Sequence, residues 1–103
     1  MKATITITYC PKCGWLLRAS YMASELLTTF AEELNGILLK PAETAGEFRI
    51  LVDGELLMDR KSDSGFPEIT ALKRQVRDRI APHKSLGHLD RAHDGADLKK
   101  DKK

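Results

Sequence analysis

Residues 9–17 have the sequence YCPKCGWLL and include the only two cysteines of this chain, Cys10 and Cys13. A C-x-x-C pair of this kind occurs as half of a structural zinc site, and it also occurs as a redox-active dithiol where a helix begins. The segments on either side of the motif, and the ligands available elsewhere, distinguish the two interpretations.

The segment before the motif predicts a β-strand. Residues 3–9, ATITITY, alternate at period two and are rich in β-branched side chains. This pattern favours an extended conformation with the threonines on one face and the isoleucines on the other. Because Pro11 has no backbone N–H, we expect the strand to end at the motif.

The segment after the motif predicts an amphipathic helix over residues 14–35. Its apolar residues recur at steps of three and four, which is the spacing of one helix face. They are Ala19, Ala23, Leu26, Leu27, Phe30, Ala31 and Leu34. Asn35 and Gly36 are residue types that end helices, so we expect the helix to stop there.

A β-hairpin is predicted in the middle of the chain. Residues 47–52 and 55–60 are strand-like segments that flank Asp53 and Gly54. An Asp-Gly pair between two such segments is typical of a type I′ turn, which requires positive φ at both central residues. A loop is expected to follow at residues 61–66.

Two further elements complete the prediction. A short apolar run, GILLKPAE, indicates a strand at residues 36–43, and Pro41 places its later part at a sheet edge or outside the ladder. A second helix is predicted at residues 67–81, beginning at Pro67 and stopped by Pro82. Its apolar stripe consists of Ile69, Leu72, Val76 and Ile80.

The resulting element order, β-α-β-β-β-α, predicts the fold class. The first two strands are joined by a helix and are therefore expected to pair in parallel, whereas the last two form an antiparallel hairpin. The chain is thus predicted to be an α/β protein with a thioredoxin-like architecture, in which a four-stranded mixed sheet carries two helices.

Length and charge predict one domain followed by a tail. The chain has 103 residues, which is enough for a single core. Residues 84–103 hold six Lys and Arg and four Asp, and so carry the whole net charge of +2, whereas residues 1–83 hold eleven of each sign. We therefore predict a thioredoxin-like domain at 1–82 and a charged, flexible tail at 83–103.

Charge and hydropathy exclude several classes of partner. A neutral domain presents no electrostatic surface for nucleic acid. No apolar run approaches the roughly 20 residues that span a bilayer, and residues 1–10 lack the apolar region of a signal peptide. The prediction is a cytoplasmic protein with no membrane association. In a reducing cytosol, a close cysteine pair is more often metal-binding or catalytic than a structural cross-link.

A zinc site lacks ligands in this sequence. Structural zinc needs four ligands, usually from two pairs, and the chain has two cysteines. Its histidines, His83, His88 and His93, lie 70 residues or more after Cys13, and their five-residue spacing does not place them on one helix face. Redox chemistry is therefore favoured, and neither a metal nor a cofactor is predicted.

The predicted setting of the motif suits a dithiol. Unpaired N–H groups and the dipole at a helix N-terminus favour a thiolate, which is the reactive form of cysteine. Lys12 adds positive charge, Pro11 stiffens the loop, and Gly14 is expected to leave space beside the second sulfur. Cys10 and Cys13 are therefore the predicted catalytic residues, as a pair that cycles between dithiol and disulfide.

At this point the sequence resembles the selenoprotein W-like (Rdx) family. The resemblance rests on YCPKCGW after the first strand, on GEFRILVDGELLMDRKSDSGFPE across the hairpin, and on LKRQVRD in the last helix. It covers about residues 3–81, and Gly65-Phe66-Pro67 before the last helix is among its most specific elements. The family motif is C-x-x-C or C-x-x-U. Since Cys13 occupies the second position, the chain is similar to the all-cysteine members.

The resemblance implies a thioredoxin-like fold and thiol-based redox activity, but it defines no substrate. The partner expected for such a dithiol is a thiol-containing protein or glutathione. The resemblance leaves the attacking cysteine open, because thioredoxins attack with the first cysteine whereas the selenium of related proteins stands in the second place. Thioredoxins also carry a cis-proline before the hairpin, where this chain has ETAGEF at residues 43–48. The alternative function is a non-catalytic, redox-gated protein-binding module.

Two aromatic residues have two interpretations each. Trp15 is either an exposed platform beside the motif or a core residue. Phe66 either packs near the dithiol or, as the favoured role, acts as a hydrophobic staple of the last helix. Four basic residues would attract an acidic substrate, but isolated basic residues on helices are more typical of a solvated face. They are Lys12, Arg18, Lys73 and Arg74.

Overall fold

The computed structural model describes residues 2–87 and residue 89. Within them the chain forms the predicted series of six elements. They are β1 (Ala3–Tyr9), α1 (Leu16–Thr29), β2 (Leu34–Pro41), β3 (Phe48–Val52), β4 (Glu55–Asp59) and α2 (Ile69–Ile80). No helix of this part of the chain has the length and apolar character needed to cross a membrane.

The four strands form one mixed sheet in the order β2-β1-β3-β4. β1 pairs with β2 in parallel and with β3 in antiparallel fashion, and β3 pairs with β4 in antiparallel fashion. The helix α1 connects the two parallel strands, as a crossover must. This topology confirms the predicted fold class, including the edge position of the strand that ends at Pro41.

One face of the sheet packs against both helices. The alternation in β1 buries Ala3, Ile5, Ile7 and Tyr9, whereas the threonines between them are exposed or half-buried on the other face. Fully buried residues from the sheet and from both helices belong to a single core, which includes Ile5, Ile7, Leu26, Phe30, Phe48, Ile50, Leu72 and Val76. The fold is therefore a two-layer structure.

The hairpin turn is the one that the sequence predicts. Asp53 and Gly54 have φ angles of 51° and 85°, the positive values that a type I′ turn requires. The turn is also tied to the start of β1. The N–H of Thr4 donates to Asp53 Oδ1 at 3.0 Å, and the N–H of Asp53 donates to the Thr4 carbonyl at 2.8 Å.

The predicted end of the first helix is wrong. The helix ends at Thr29, and the N–H of the buried Phe30 donates to the Leu26 carbonyl at its C-terminus. Leu34 continues the three-and-four spacing, yet it begins β2 and pairs with Ala3 of β1. The apolar residues that were predicted to form one helix face therefore belong to two elements, α1 and β2, which contribute to the same core. Asn35-Gly36 consequently lies inside β2, which starts two residues before the predicted 36–43.

The predicted start of the second helix is also wrong, by two residues. Glu68 is extended, with φ −67° and ψ 147°, and acts as the N-cap, so that α2 begins at Ile69 and Pro67 lies outside it. The C-terminus agrees better with the sequence. Ala81 is the C-cap, and Pro82 follows directly.

The first residues of the predicted tail contact the domain. Arg77 Nη1 donates to the Lys84 carbonyl at 2.9 Å, and the Lys84 ammonium lies 3.3 Å from a Glu33 carboxylate oxygen. Leu86 is half-buried against the core. The rest of the predicted tail, residues 90–103 together with His88, lies outside the described residues. The domain boundary at Pro82 stays a prediction.

Candidate functional site

The motif follows the central part of the sheet directly. Tyr9 ends β1 and pairs with Pro41 on one side and Phe48 on the other. Cys10 is therefore the first residue to leave the sheet, at the carboxyl end of a strand that has neighbours on both sides. In addition, the N–H of Ala42 donates to the Tyr9 carbonyl at 2.7 Å, so the segment after β2 stays beside the motif.

Residues 10–14 form a tight turn that brings the two cysteines together. The Cα atoms of Cys10 and Cys13 are 5.3 Å apart, and their sulfurs are bonded in a disulfide. The N–H of Gly14 donates to the Pro11 carbonyl at 3.1 Å, and the N–H of Trp15 lies 3.4 Å from the Cys10 carbonyl. Gly14 has a φ of 75°, which is the left-handed region that favours glycine.

The role predicted for Gly14 needs correction. A Cβ atom at this position would have no heavy atom within 4 Å, so the glycine does not serve to leave space beside the second sulfur. Its requirement is conformational, since the turn closes only with positive φ at this residue.

The two sulfurs have different environments. Cys10 is 1 % exposed, whereas Cys13 is exposed on the surface. The backbone N–H of Cys13 donates to Cys10 Sγ at 3.2 Å. An external thiol or disulfide can therefore approach Cys13, while Cys10 is shielded and carries a hydrogen-bond donor that stabilises negative charge on its sulfur.

The helix begins after the motif. α1 starts at Leu16, two residues later than predicted, and its N-cap Trp15 makes no side-chain capping hydrogen bond. The first turn contains no acidic residue and includes Arg18. The disulfide thus lies on the N-terminal side of a 14-residue helix, where the free N–H groups and the helix dipole favour an anion.

Three aromatic rings pack together beside the motif. Trp15 and Phe66 have centroids 5.0 Å apart, Phe66 and Phe48 are also 5.0 Å apart, and Trp15 and Phe48 are 6.2 Å apart, all in edge-to-face arrangements. Trp15 is half-buried, so it packs against the core and also remains partly exposed beside the motif, which combines its two predicted roles. The favoured role of Phe66 as a helix staple is wrong, because α2 begins three residues later and the ring packs on Trp15 instead.

The sequence reasoning missed two residues of this cluster. The sequence places Phe48 and Arg60 only in the two strand-like segments of the hairpin, although the Arg60 guanidinium carbon lies 4.8 Å from the centre of the Trp15 ring. Phe48 occurs within the alternating pattern of β3, so its burial was predictable. Nothing in the local sequence around Arg60 indicates that it reaches a tryptophan 45 positions away.

A small pocket of about 100 Å³ opens between the motif and the segment after β2. Cys10, Pro11 and Lys12 line one side of the pocket, and residues 42–45 line the other. This is the junction where thioredoxins carry a cis-proline. Here it contains Thr44, and no cis peptide bond occurs in the described part of the chain.

The other basic residues from the sequence analysis lie in different settings. Lys73 is bound to Glu25 at 2.8 Å, and Arg74 donates to the Leu89 carbonyl. Lys12 remains exposed beside the pocket. Among residues 2–87 and 89, no three side chains of the types that ligate metals come close enough to share an ion, and His83 is exposed.

Comparison with known proteins agrees with this architecture. The model of the Rdx family matches residues 4–78. A solved protein of Bordetella parapertussis is 49 % identical, with a TM-score of 0.75 over 78 % of this chain and 100 % of that one. A selenoprotein W-related protein of Vibrio cholerae is 45 % identical, with a TM-score of 0.75 over 78 % of this chain and 99 % of that one. No curated protein matches the chain.

The match between the family model and the chain includes both cysteines and every strand and helix except the ends of β1 and α2. This chain covers almost the whole length of both solved relatives, at sequence identities of 49 % and 45 %. The resemblance recognised in the sequence is thereby confirmed: this chain belongs to the Rdx family.

Proposed function

We propose that the protein is a thiol–disulfide oxidoreductase in which Cys13 attacks and Cys10 resolves. The observation that carries the proposal is the asymmetry of the pair. Cys13 is exposed, whereas Cys10 is buried and accepts a hydrogen bond from the Cys13 N–H. Family membership supports redox chemistry in general, and the exposure of the sulfurs supports this division of roles.

The reaction proceeds in two exchange steps. In the first, the Cys13 thiolate attacks one sulfur of a substrate disulfide, so that a mixed disulfide forms at Cys13 and the other substrate sulfur leaves as a thiolate. In the second, the Cys10 thiolate attacks Cys13 Sγ, the Cys10–Cys13 disulfide forms, and the second substrate thiolate leaves. The substrate gains two electrons, and the protein dithiol is oxidised.

The reverse half-reaction uses the same asymmetry. A reducing thiol reaches Cys13 Sγ of the protein disulfide, and Cys10 is then the leaving group. Exchange is faster when the leaving thiolate is stabilised. The Cys13 N–H that bonds to Cys10 Sγ supplies such stabilisation.

The proposed partners are thiols. A thiol-containing protein or glutathione fits the exposed Cys13, and we propose a role in redox homeostasis of the cytoplasm, without nucleic-acid or membrane partners. The position of the motif before a helix N-terminus supports thiol chemistry. The neutral charge balance of residues 1–83 supports the absence of a nucleic-acid partner.

The test uses the two single serine variants and a disulfide substrate. Cys10→Ser is expected to accumulate a stable mixed disulfide at Cys13, because the resolving thiol is missing, and mass spectrometry detects the added mass. Cys13→Ser is expected to react at least tenfold more slowly, since the buried Cys10 is the only thiol left. Equal trapping in both variants, or trapping only at Cys10, contradicts the assigned roles.

A binding module is the second candidate function. The exposed Leu17 and Tyr21 on α1 favour it, because they offer a protein contact next to the motif. Turnover of a disulfide substrate with dithiothreitol as reductant separates the two functions. Repeated turnover supports the oxidoreductase, whereas redox-dependent binding of a partner without turnover supports the binding module.

A further inference from the structure

Two arginines lie on the aromatic rings beside the motif. The guanidinium carbon of Arg18 is 4.0 Å from the centre of the Phe66 ring, and that of Arg60 is 4.8 Å from the Trp15 ring and 5.8 Å from the Phe66 ring. Arg18 belongs to the first turn of α1, and Arg60 directly follows β4. Two distant segments therefore bring two cations to the same rings.

Neither guanidinium has a carboxylate partner within residues 2–87 and 89. Arg18 and Arg60 form no ion pair within 4.0 Å there, and Arg60 Nε is buried without a hydrogen-bond acceptor. The remaining arginines of this part of the chain each form a hydrogen bond or an ion pair with an oxygen, and these are Arg49, Arg74, Arg77 and Arg79. Since a guanidinium carries five N–H donors, the pair at the rings has unused capacity to bind an anion.

The carboxylates nearest in sequence do not fill this capacity. Asp59 Oδ1 accepts a hydrogen bond from the Lys61 N–H, and Asp63 Oδ2 accepts one from the Asp59 N–H. Glu68 is exposed, and it stays outside ion-pair distance of both guanidinium groups. Within residues 2–87 and 89, the two arginines are therefore left with room for an anion that the described part of the chain does not supply.

Exposed apolar side chains extend this surface along α1. Leu17 is 81 % exposed and Tyr21 is 52 % exposed. They lie one helical turn apart on the side away from the core, and Arg18, three residues before Tyr21, is its neighbour on the helix surface. Leu17, Arg18, Tyr21, Arg60 and Phe66 together are called the arginine surface below. Adjacent exposed apolar residues rimmed by charge are typical of a protein contact.

We propose that the arginine surface binds an acidic peptide segment of the protein whose disulfide reacts at Cys13. Arginine favours carboxylates because its planar fork makes two parallel hydrogen bonds to them. The exposed Leu17 and Tyr21 favour a segment in which apolar residues accompany the carboxylates. The inference deepens the proposed function by naming the chemistry of its partner, and it rests on that function for the reacting group.

The test compares two disulfide-linked peptides of equal length. In one, glutamates and a leucine flank the cystine, and in the other each glutamate is replaced by glutamine. The reduced wild-type protein is expected to react about tenfold faster with the Glu peptide, since a tenfold ratio requires only about 1.4 kcal/mol from the two arginines together. In the Arg18→Gln/Arg60→Gln variant, the ratio is expected to fall to about twofold or less.

Arg49→Gln is the matched control. It removes one positive charge, as each of the two other substitutions does, but from the outer face of the sheet, where Arg49 is already paired with Glu47 at 3.2 Å and Asp59 at 3.5 Å. The ratio is expected to remain about tenfold in this variant. Equal rates in the wild type, or a preference that survives in the double variant, overturn the proposal. If Arg60→Gln prevents folding, Arg18→Gln alone, at an exposed residue, should reduce the ratio about threefold, and an unchanged ratio overturns the proposal.

A thiol-free measurement separates this proposal from the proposed function. If neither peptide reacts, the oxidoreductase proposal fails, but the surface is still testable. The Cys10→Ser/Cys13→Ser protein is titrated into fluorescent linear Glu and Gln peptides that contain no cysteine, and anisotropy is recorded. Tighter binding of the Glu peptide that depends on Arg18 and Arg60 supports the arginine surface. Equal binding of the two peptides overturns it.

Discussion

At the scale of single residues, backbone conformation shapes the motif as much as side-chain chemistry. Gly14 adopts a φ of 75° at the end of the turn that joins Cys10 to Cys13. A Cβ atom in this left-handed region approaches the following carbonyl oxygen and costs roughly 1–2 kcal/mol. An added Cβ atom would meet no heavy atom within 4 Å, so this conformational cost is the only one expected for a substitution at Gly14.

Gly14→Ala is therefore expected to lower the free energy of unfolding by about 1–2 kcal/mol. The loss should be larger in the oxidised protein, because the disulfide prevents the turn from relaxing. Urea unfolding of both redox forms measures it. Gly36→Ala is the control, since Gly36 has no positive φ and its added Cβ meets no atom within 4 Å. Equal losses for the two variants would contradict the argument.

The sequence predicts residues of the site well only where the chemistry is local. Cys10 and Cys13 are recognisable because a two-residue spacer lets their sulfurs meet. The division of roles between them is not predictable, because it depends on burial, and burial is set by the strands on either side of β1. Arg60 was missed for the same reason, as its partner Trp15 is brought to it by the fold.

At the scale of elements, local turn chemistry predicted more than periodicity did. The Asp53-Gly54 hairpin is found where expected because positive φ at two successive residues is a demanding local signal. The end of α1 was misplaced because Leu34 shares the spacing of the helix stripe while it belongs to β2. Apolar spacing does not distinguish two elements that bury residues in the same core.

Asp53 is expected to contribute to stability through its backbone and through its side chain. Asp53→Ala loses the hydrogen bond from the Thr4 N–H to Oδ1 and places alanine at a φ of 51°. The expected loss is about 1–2 kcal/mol, measured by urea unfolding. Asp53→Asn keeps an oxygen acceptor and tolerates positive φ, so it should recover most of the loss.

Glu55→Ala serves as the control for this prediction. The Glu55 side chain is 82 % exposed and lies 3.8 Å from Arg79, so its removal should change stability by less than about 0.5 kcal/mol. A loss for Glu55→Ala as large as that for Asp53→Ala would indicate a general charge effect at the turn. Failure of Asp53→Asn to recover stability would exclude the hydrogen bond as the cause.

At the scale of the whole molecule, the two-layer architecture places the motif where three parts of the chain meet. The central strand β1 ends at Tyr9 between β2 and β3, so the turn of Cys10 is flanked by residues 42–45 and by the aromatic cluster. The parallel pairing of β1 with β2 and the hairpin of β3 and β4 were predictable, whereas the β1–β3 pairing that joins them was not. The aromatic cluster was not, since it depends on how the loop after β4 folds back over Trp15.

The last prediction concerns where the folded unit ends. Residues 83–87 and 89 follow α2, and Lys84 pairs with Glu33 at 3.3 Å while its carbonyl accepts a hydrogen bond from Arg77. Leu86 is half-buried against the core. Truncation after Leu89 is expected to leave the free energy of unfolding unchanged within about 0.5 kcal/mol. Truncation after Pro82 removes one partly exposed ion pair, the hydrogen bonds to the Lys84 and Leu89 carbonyls, and two half-buried leucines, Leu86 and Leu89. It is expected to cost at least about 1–2 kcal/mol.

A loss of this size corresponds to a decrease in melting temperature of roughly 4–15 °C for a domain of this length. Thermal unfolding of the full chain and of both truncated forms measures it, and Trp15, the only tryptophan, reports unfolding of the aromatic cluster beside the motif. Equal melting temperatures for the two truncations would place the boundary at Pro82, as the sequence predicts. A large decrease for truncation after Leu89 would instead show that residues 90–103 contribute to the stability of the domain. Exchange at Cys13 should be the same in both truncated forms, because Lys84 and Leu89 contact Glu33 and α2 rather than the turn of the motif.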